Sequence, residues 1–279
     1  MILIADSGST KTKWVKIGSD SSIETCTTAG LNPFFTDENE FLRILEHQFS
    51  LSGTGIEAIY FYGAGCIPEK TGGIKKRLSS YFQINNISVD TDLMAAARSL
   101  CGRSAGLVGI LGTGSNSCYY DGTKIAVQVP ALGYVLGDEG SGAALGKQLL
   151  ADIFKKQLPQ NIIADFHEQY ALNQSDVIEK VYRQPFPNRF LAQFTPFIVE
   201  HLSEPAIMDL VDRSFSVFVQ RNLLQYPFIQ QLPIHFTGSV AYYLKSCLEN
   251  VLQNFHLKAG NITSDPMEGL IHYHTTNYR

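Results

Sequence analysis

The sequence has no apolar run that approaches the ~18–20 residues a membrane-spanning helix requires. Its N-terminus lacks the basic start and small-residue cleavage site of a secretory signal. Strand-forming residues begin at Ile2, so the expectation is that no targeting segment or DNA-binding module precedes the fold. There is no basic excess either: 22 Lys and Arg against 26 Asp and Glu give a formal charge of −4. Proteins that hold nucleic acid by neutralising phosphates usually carry such an excess, so a nucleic-acid partner is not expected. The five cysteines (Cys26, Cys66, Cys101, Cys118 and Cys247) are odd in number and scattered, and no C-x-x-C occurs. That pattern fits neither a disulfide framework nor a zinc site, and it points to reduced thiols in the cytoplasm. The seven histidines contain no H-E-x-x-H. His272 and His274 stand two apart, a spacing that turns the two rings away from each other on a helix.

What is present is a globular composition of 44% hydrophobic and 17% charged residues. A length of 279 residues suggests about two domains. Ile2 to Ala5 has the pattern of a buried strand, Asp6 to Thr12 that of a small polar turn, and Lys13 to Ile17 and Ile23 to Thr28 those of two further strands. Helical spacing follows at Phe41, Leu42, Leu45 and Phe49, then a strand at Ile56 to Tyr62 and a helix from Pro68 to Phe82. A short strand at Ile87 to Val89 leads into a helix from Leu93 to Leu100. The pattern then restarts, with a strand at Leu107 to Leu111, the turn Gly112-Thr113-Gly114-Ser115, and strands at Ser117 to Tyr120 and Lys124 to Val129. Two such units about a hundred residues apart suggest two similar domains. We place them at 1–103 and 104–265, with a helical insertion at about 143–226 and a last helix in 266–279 that packs back on the first domain. A strand from Leu232 to Thr237, a helix from Gly238 to Leu252 and a short strand at His256 to Lys258 close the second unit.

The first turn, with Asp6, Ser7, Gly8, Ser9, Thr10 and Lys11, can aim backbone N–H groups, hydroxyls and one cation at phosphate oxygens. Asp6 at the strand end could face a phosphate-bound Mg²⁺ through water. A plain hairpin turn explains the same residues, and the turn is not a Walker A loop, because a strand follows it. Gly112, Thr113, Gly114, Ser115 and Asn116 form a second turn of the same kind. Gly133 to Gly142 carries four glycines around Asp138 and Glu139, which gives a loop that can approach a ligand closely. Either acid could accept bonds from sugar hydroxyls, although an acid here is also a natural cap for a helix from Ala143. Asp92 could take a proton from an attacking hydroxyl. From local sequence alone, capping of the helix that follows explains Asp92 better, and chemistry alone does not separate it from Asp90. Gly238-Ser239-Val240-Ala241 could let a nucleoside lie against the backbone, or be an ordinary strand-to-helix turn.

In this order the motifs resemble those of the acetate kinase–sugar kinase–Hsp70–actin superfamily. Within it the chain is similar to the N-acetylglucosamine kinase branch, related to the BadF/BadG/BcrA/BcrD-type ATPases. Asp6-x-Gly8-x-Thr10-Lys11-Thr12 and Gly112 to Asn116 match the two phosphate motifs, and Gly137-Asp138-Glu139-Gly140-Ser141 matches a more specific signature. Gly238 and Ser239 fall in the adenosine motif, and Thr91-Asp92 in the segment with the catalytic aspartate, which favours Asp92 over Asp90 and over capping. Leu31-Asn32-Pro33 resembles the loop that brings an Asn to the sugar.

The resemblance implies an α/β protein of two ribonuclease-H-like domains with ATP and sugar in the cleft between them. It implies in-line phosphoryl transfer from Mg·ATP to the primary hydroxyl of an amino sugar, N-acetylglucosamine by default, with Asp92 as base; N-acetylmuramic acid, N-acetylmannosamine, glucosamine or glucose could fit similar polar groups. Asn32, Asn116 and Asp138 would bind sugar hydroxyls, and Gly65 would line the N-acetyl pocket. Relatives are often dimers, and the helical insertion is a candidate interface. Two rivals differ in class. An iron–sulfur ATPase activator would need cysteines that the turns around Gly112 and Gly137 lack, and a pure sugar sensor would have no use for Asp92.

Overall fold

Ile2-Leu3-Ile4-Ala5 has no polar member, as suits a strand covered on both faces. It forms most of β1 (Ile2–Ser7), where Leu3, Ile4 and Ala5 are fully buried. The computed structural model describes residues 1–8 and 10–276, so Ser9 and the last three residues of the expected C-terminal helix lie outside the described residues. The chain forms two compact units, one of Met1–Gly102 with the segment from Pro266 onward, the other of Arg103–Asp265.

In the first unit β1 is followed by β2 (Lys11–Ile17), β3 (Ile23–Ala29), α1 (Glu38–Gln48), β4 (Ala58–Gly63), α2 (Pro68–Phe82), β5 (Ile87–Thr91) and α3 (Asp92–Cys101). The sheet order is β3-β2-β1-β4-β5. The first three strands form an antiparallel meander, and β4 and β5 run parallel to β1. Register sets the strand ends in a row: Ser7 lies opposite Thr12 and Gly63, and Gly63 opposite Thr91. One face of the sheet buries Trp14 and Phe61 with Phe41 and Leu45 of α1 and Leu78 of α2. The other face buries Ile4, Val15 and Tyr62 against Ala95 of α3 and against Met267 and Leu270 of a C-terminal helix (Met267–Thr275). Each large side chain fully buried this way stabilises the fold by about 1.5–3 kcal/mol. Trp14 satisfies its polar edge by donating Nε1–H to Thr28 Oγ1 at 3.1 Å.

The second unit opens with β6 (Gly106–Leu111), β7 (Ser115–Tyr120) and β8 (Ile125–Gln128). Helices follow: α4 (Gly133–Leu136), α5 (Gly142–Phe154), α6 (Gln160–Tyr170), α7 (Gln174–Tyr182), α8 (Pro187–Ala192), α9 (Thr195–Glu200) and α10 (Pro205–Arg221). The unit closes with β9 (Ile234–Thr237), α11 (Ser239–Tyr243), α12 (Lys245–Asn254) and β10 (Ala259–Thr263). The sheet order β10-β9-β6-β7-β8 repeats that of the first unit, with β6 in the place of β1. The prolines that interrupt the helical pattern mark starts, because Pro187, Pro196 and Pro205 sit in the first turns of α8, α9 and α10. Among the described residues, no helix is long and apolar enough to cross a membrane.

Four local expectations shift. The last strand begins at Ala259 rather than at His256, because α12 ends in a turn whose His256 has φ +56°. The helix expected from Gly238 to Leu252 is broken at Leu244 into α11 and α12. The helix expected from Ala143 starts one residue earlier, at Gly142. Gly133–Leu136, expected as loop, is one helical turn.

Candidate active site

The first polar turn is closed by Gly8, whose N–H donates to the Lys11 carbonyl at 2.9 Å. Thr10 and Lys11 are exposed at its tip. Ser7 points the other way and is fully buried. Its hydroxyl lies 2.8 Å from that of Thr12 and accepts the Leu31 N–H at 3.0 Å, while its carbonyl accepts the Ala64 N–H at 2.9 Å. Ser7 is therefore engaged inside the protein, where its hydroxyl holds the loop bearing Asn32 and its carbonyl the turn bearing Gly65. Those two residues meet. Gly65 has φ +79°, and a Cβ added there would come within 2.6 Å of Asn32 Oδ1, so the approach requires glycine. Asn32 is buried and its Oδ1 accepts the Phe34 N–H at 2.9 Å. Asp6 is half-buried on β1, in register with Lys13 and Tyr62.

Asp92 and Asp90, alike in sequence, differ in structure. The cap of α3 is Thr91, whose hydroxyl accepts the Met94 N–H at 3.1 Å. Asp92 is the first helical residue, and its Oδ1 accepts the Leu93 N–H at 2.8 Å. The local expectation that Asp92 caps the helix is thus replaced. Burial pushes the Asp92 carboxyl above the ordinary range, and the N–H groups of Leu93 and of Asp92 itself draw it back. Cys66, one residue past Gly65, is held up to about 12 by burial, with the Asp92 and Asp90 charges adding to it. Asp90 binds the Arg98 guanidinium at 2.6 Å. Arg98 also donates to Tyr62 Oη at 2.9 Å, and Tyr62 Oη lies 2.8 Å from His274 Nε2 of the C-terminal helix.

In the second unit the turn Gly112–Gly114 is bound to the start of α5. Gly142 N–H donates to the Gly112 carbonyl at 2.8 Å and Ala143 N–H to the Thr113 carbonyl at 3.1 Å. Ser141, and neither acid, caps α5 by accepting the Ala144 N–H at 3.1 Å. Asp138 has φ +58°, and its Oδ1 accepts the Ser115 N–H at 3.0 Å. Burial raises its carboxyl, the Ser115 N–H opposes the rise and the Glu139 charge adds to it. Glu139 turns elsewhere, to Arg221 and Asn222 at the end of α10. Asn116 Oδ1 accepts the Ser117 N–H at 2.9 Å and Gln128 Nε2–H at 3.0 Å.

Two cavities of this unit contain the predicted residues. One, of about 200 Å³, is lined by Asn116 and Asp138 together with Glu139, Arg221 and Asn222. The other, of about 480 Å³, is lined by Gly112, Thr113 and Ser239 together with Pro196, Val199 and Tyr243. Arg221, Asn222, Pro196 and Val199 carry no local signal in the sequence. Tyr243 stands four residues after Ser239 on α11, which helical spacing could have found. Gly114 borders the Asp138 carboxylate, and Gly238, with φ +114°, starts α11. Larger cavities of about 680 Å³ near Ile2 and Ile271, and about 540 Å³ between α5 and α7, include none of the predicted residues. Among the described residues, no three His, Cys, Asp or Glu side chains form a metal cage.

The chain superposes with a TM-score of 0.96 on the crystal structure of a provisionally named N-acetylglucosamine kinase from Porphyromonas gingivalis, at 46% identity over 100% of both chains. The chain belongs to this N-acetylglucosamine kinase family of actin-like ATPases. A second provisionally named N-acetylglucosamine kinase, from Chromobacterium violaceum, shares the fold at a TM-score of 0.77 and 16% identity, over 98% of each chain. A glucokinase of the ROK family from Streptomyces griseus, solved with glucose and AMPPNP, shares it at 0.58 and 12% identity, over 99% of this chain and 98% of that one. No family model matches the chain, and no curated protein does. The actin-like kinase fold accounts for the two five-stranded sheets of identical order.

Proposed function

We propose that the protein is an ATP-dependent amino-sugar kinase that phosphorylates the primary hydroxyl of N-acetylglucosamine. The carrying observation is Asp92: a partly buried carboxylate with its orientation set by the Leu93 N–H, relieved of capping by Thr91, and reached by the same sheet register that holds Gly63. Structural nucleation alone would not require a carboxylate beside an existing cap. Family membership supports the same reading, since the Porphyromonas gingivalis relative carries that kinase name.

In this reading Asp92 accepts the proton of the sugar hydroxyl as it attacks, a transfer needed late in a loose transition state. Asn32 and Asp138 hold sugar hydroxyls, each buried bond being worth about 1–3 kcal/mol when lost. Asn116 shares that task and Gly65 leaves room at the Asn32 amide. Gly8, Thr10 and Lys11 serve phosphate oxygens, as do Gly112, Thr113 and Gly114. Ser7 acts one step back, by fixing the Asn32 loop. The cavity of about 480 Å³ fits a nucleoside, with Ser239 at one wall and Tyr243 and Val199 as apolar surface, and Gly238 starts the helix that carries Ser239. Asp6, a single carboxylate at a strand end, fits a metal bound mainly by phosphates and water and not by a protein cage. Mg·ATP would supply the phosphoryl group and neutralise its developing charge. The five free thiols agree with work in a reducing compartment such as the cytoplasm.

The test is ADP release with Mg·ATP across amino sugars and plain hexoses. Release that depends on N-acetylglucosamine supports the reading. Release without any sugar would favour an ATPase switch, and release with another sugar alone would reassign the substrate.

A further inference from the structure

The hydrogen bonds of Asn116 lead away from the cavity of about 200 Å³ and into the core of the second unit. A backbone N–H can only donate, so the Asn116 atom that meets the Ser117 N–H at 2.9 Å is the carbonyl oxygen, Oδ1. The same oxygen accepts the Gln128 amide N–H at 3.0 Å. With Oδ1 engaged twice, the two Nδ2 hydrogens are what Asn116 has to offer the cavity it lines. Both donors to Oδ1 trace back to one phenol. Ser117 Oγ lies 2.8 Å from Tyr226 Oη, and Val129, the neighbour of Gln128, donates its N–H to Tyr226 Oη at 2.9 Å. The two arms close a ring that runs from Tyr226 to Asn116 Oδ1 and back.

The ring stands where the sheet gives out. β7 and β8 pair as far as Cys118 and Gln128, and Pro130, two residues on, has no N–H to extend the ladder. Tyr226 Oη takes the Val129 N–H at that point. Tyr226 follows a 3₁₀ turn (Leu223–Gln225), is 3% exposed and packs in the large apolar cluster of the unit. Packing alone would be served by phenylalanine. The hydroxyl serves the two bonds, and both lead to a residue that lines the cavity.

We propose that Tyr226 is a positioning residue for sugar binding. Through Ser117 on one arm, and Val129 and Gln128 on the other, its hydroxyl fixes the Asn116 amide so that Nδ2–H donates to a sugar oxygen. This inference rests on reading the cavity that Asn116 lines as a sugar subsite.

The test is a double-mutant cycle of Tyr226→Phe and Asn116→Ala. KM for ATP, and KM for N-acetylglucosamine or whichever sugar the wild type phosphorylates, are measured in each variant well below its unfolding temperature. Tyr226→Phe should raise the sugar KM about tenfold and leave KM for ATP within about twofold. In the Asn116→Ala background the same substitution should change the sugar KM by less than about twofold, because its target is gone. A general loosening of the fold would move both KM values, by similar factors in both backgrounds, and that result overturns the proposal. An unchanged sugar KM in folded Tyr226→Phe overturns it too and leaves the kinase reading intact. Should that variant not fold, Ser117→Ala breaks one arm from the other side. It should raise the sugar KM several-fold, and an unchanged value overturns the proposal equally. An unchanged sugar KM in Asn116→Ala alone removes Asn116 from the subsite, and the proposal falls while the kinase reading stands. Wild-type enzyme that phosphorylates no sugar overturns the kinase reading together with this one.

Discussion

Thr91 and Asp92 divide two tasks that a single acidic residue often combines. The Thr91 hydroxyl caps α3 through the Met94 N–H, and the Asp92 carboxylate, one residue on, accepts the neighbouring Leu93 N–H. Asparagine at position 92 keeps the acceptor for Leu93 and loses the charge. Asp92→Asn should therefore bind ATP and sugar, unfold near the wild-type temperature, and lose about 10²–10⁴-fold in sugar-dependent ADP release. Thr91→Ala should show the reverse balance, with a stability loss of about 1 kcal/mol and a smaller effect on turnover. Near wild-type activity in Asp92→Asn would remove the residue from the mechanism.

Asp90 belongs to a different system. It faces Arg98, which ties β5 to Tyr62 of β4 and, through Tyr62, to His274 of the C-terminal helix. Removing its charge leaves a half-buried guanidinium without its carboxylate. Asp90→Asn should cost about 1–3 kcal/mol in urea unfolding while kcat/KM stays within a few-fold of wild type. A collapse of kcat without loss of stability would reverse the assignment of the two aspartates.

The strand–turn–strand repeat is legible in the sequence because short apolar runs and Gly/Ser/Thr turns are local signals, and each sheet is built on one of the two repeats. The convergence on Ser7 is not legible. Its hydroxyl and carbonyl join loops 24 and 57 residues away in sequence, a relation that only the strand register creates. Asp138 and Glu139 are interchangeable on chemical grounds alone. The left-handed backbone at Asp138 sends the two side chains to different partners, and nothing nearby in sequence announces Arg221 as one of them. The shift of the last strand has the same origin, since the turn at His256 depends on where α12 stops packing.

Gly238 stands where β9 turns into α11 beside the nucleotide candidates. Its backbone, at φ +114° and ψ 155°, lies in a region that is almost exclusively glycine's. A Cβ there would also collide with the Leu111 carbonyl oxygen, at the end of the central strand β6. Gly238→Ala should lower stability by at least about 1–3 kcal/mol and raise KM for ATP more than KM for the sugar. Unfolding at the wild-type urea midpoint would show that the turn can relax without glycine. Equal effects on both KM values would detach Gly238 from nucleotide binding.

His274 should make the protein's stability depend on pH in a range where most carboxylates are silent. It is 6% exposed, stacks on Tyr60 at 3.8 Å and lies 2.8 Å from Tyr62 Oη. Burial first, and then the Arg98 charge, lower its folded-state value to about 4 from an ordinary 6.5. Between those values the unfolded chain binds a proton that the folded chain refuses. Stability contributed by neutral His274 is therefore fully present above pH ~6.5 and is lost as pH falls toward ~4, by on the order of 3 kcal/mol. Glutamine can bond Tyr62 but does not titrate, so His274→Gln should be less stable than wild type at pH 7 and flatter between pH 6.5 and 4.5. Urea unfolding at several pH values reads both slopes. Parallel curves for wild type and variant would mean that the ring accepts its proton inside the folded protein.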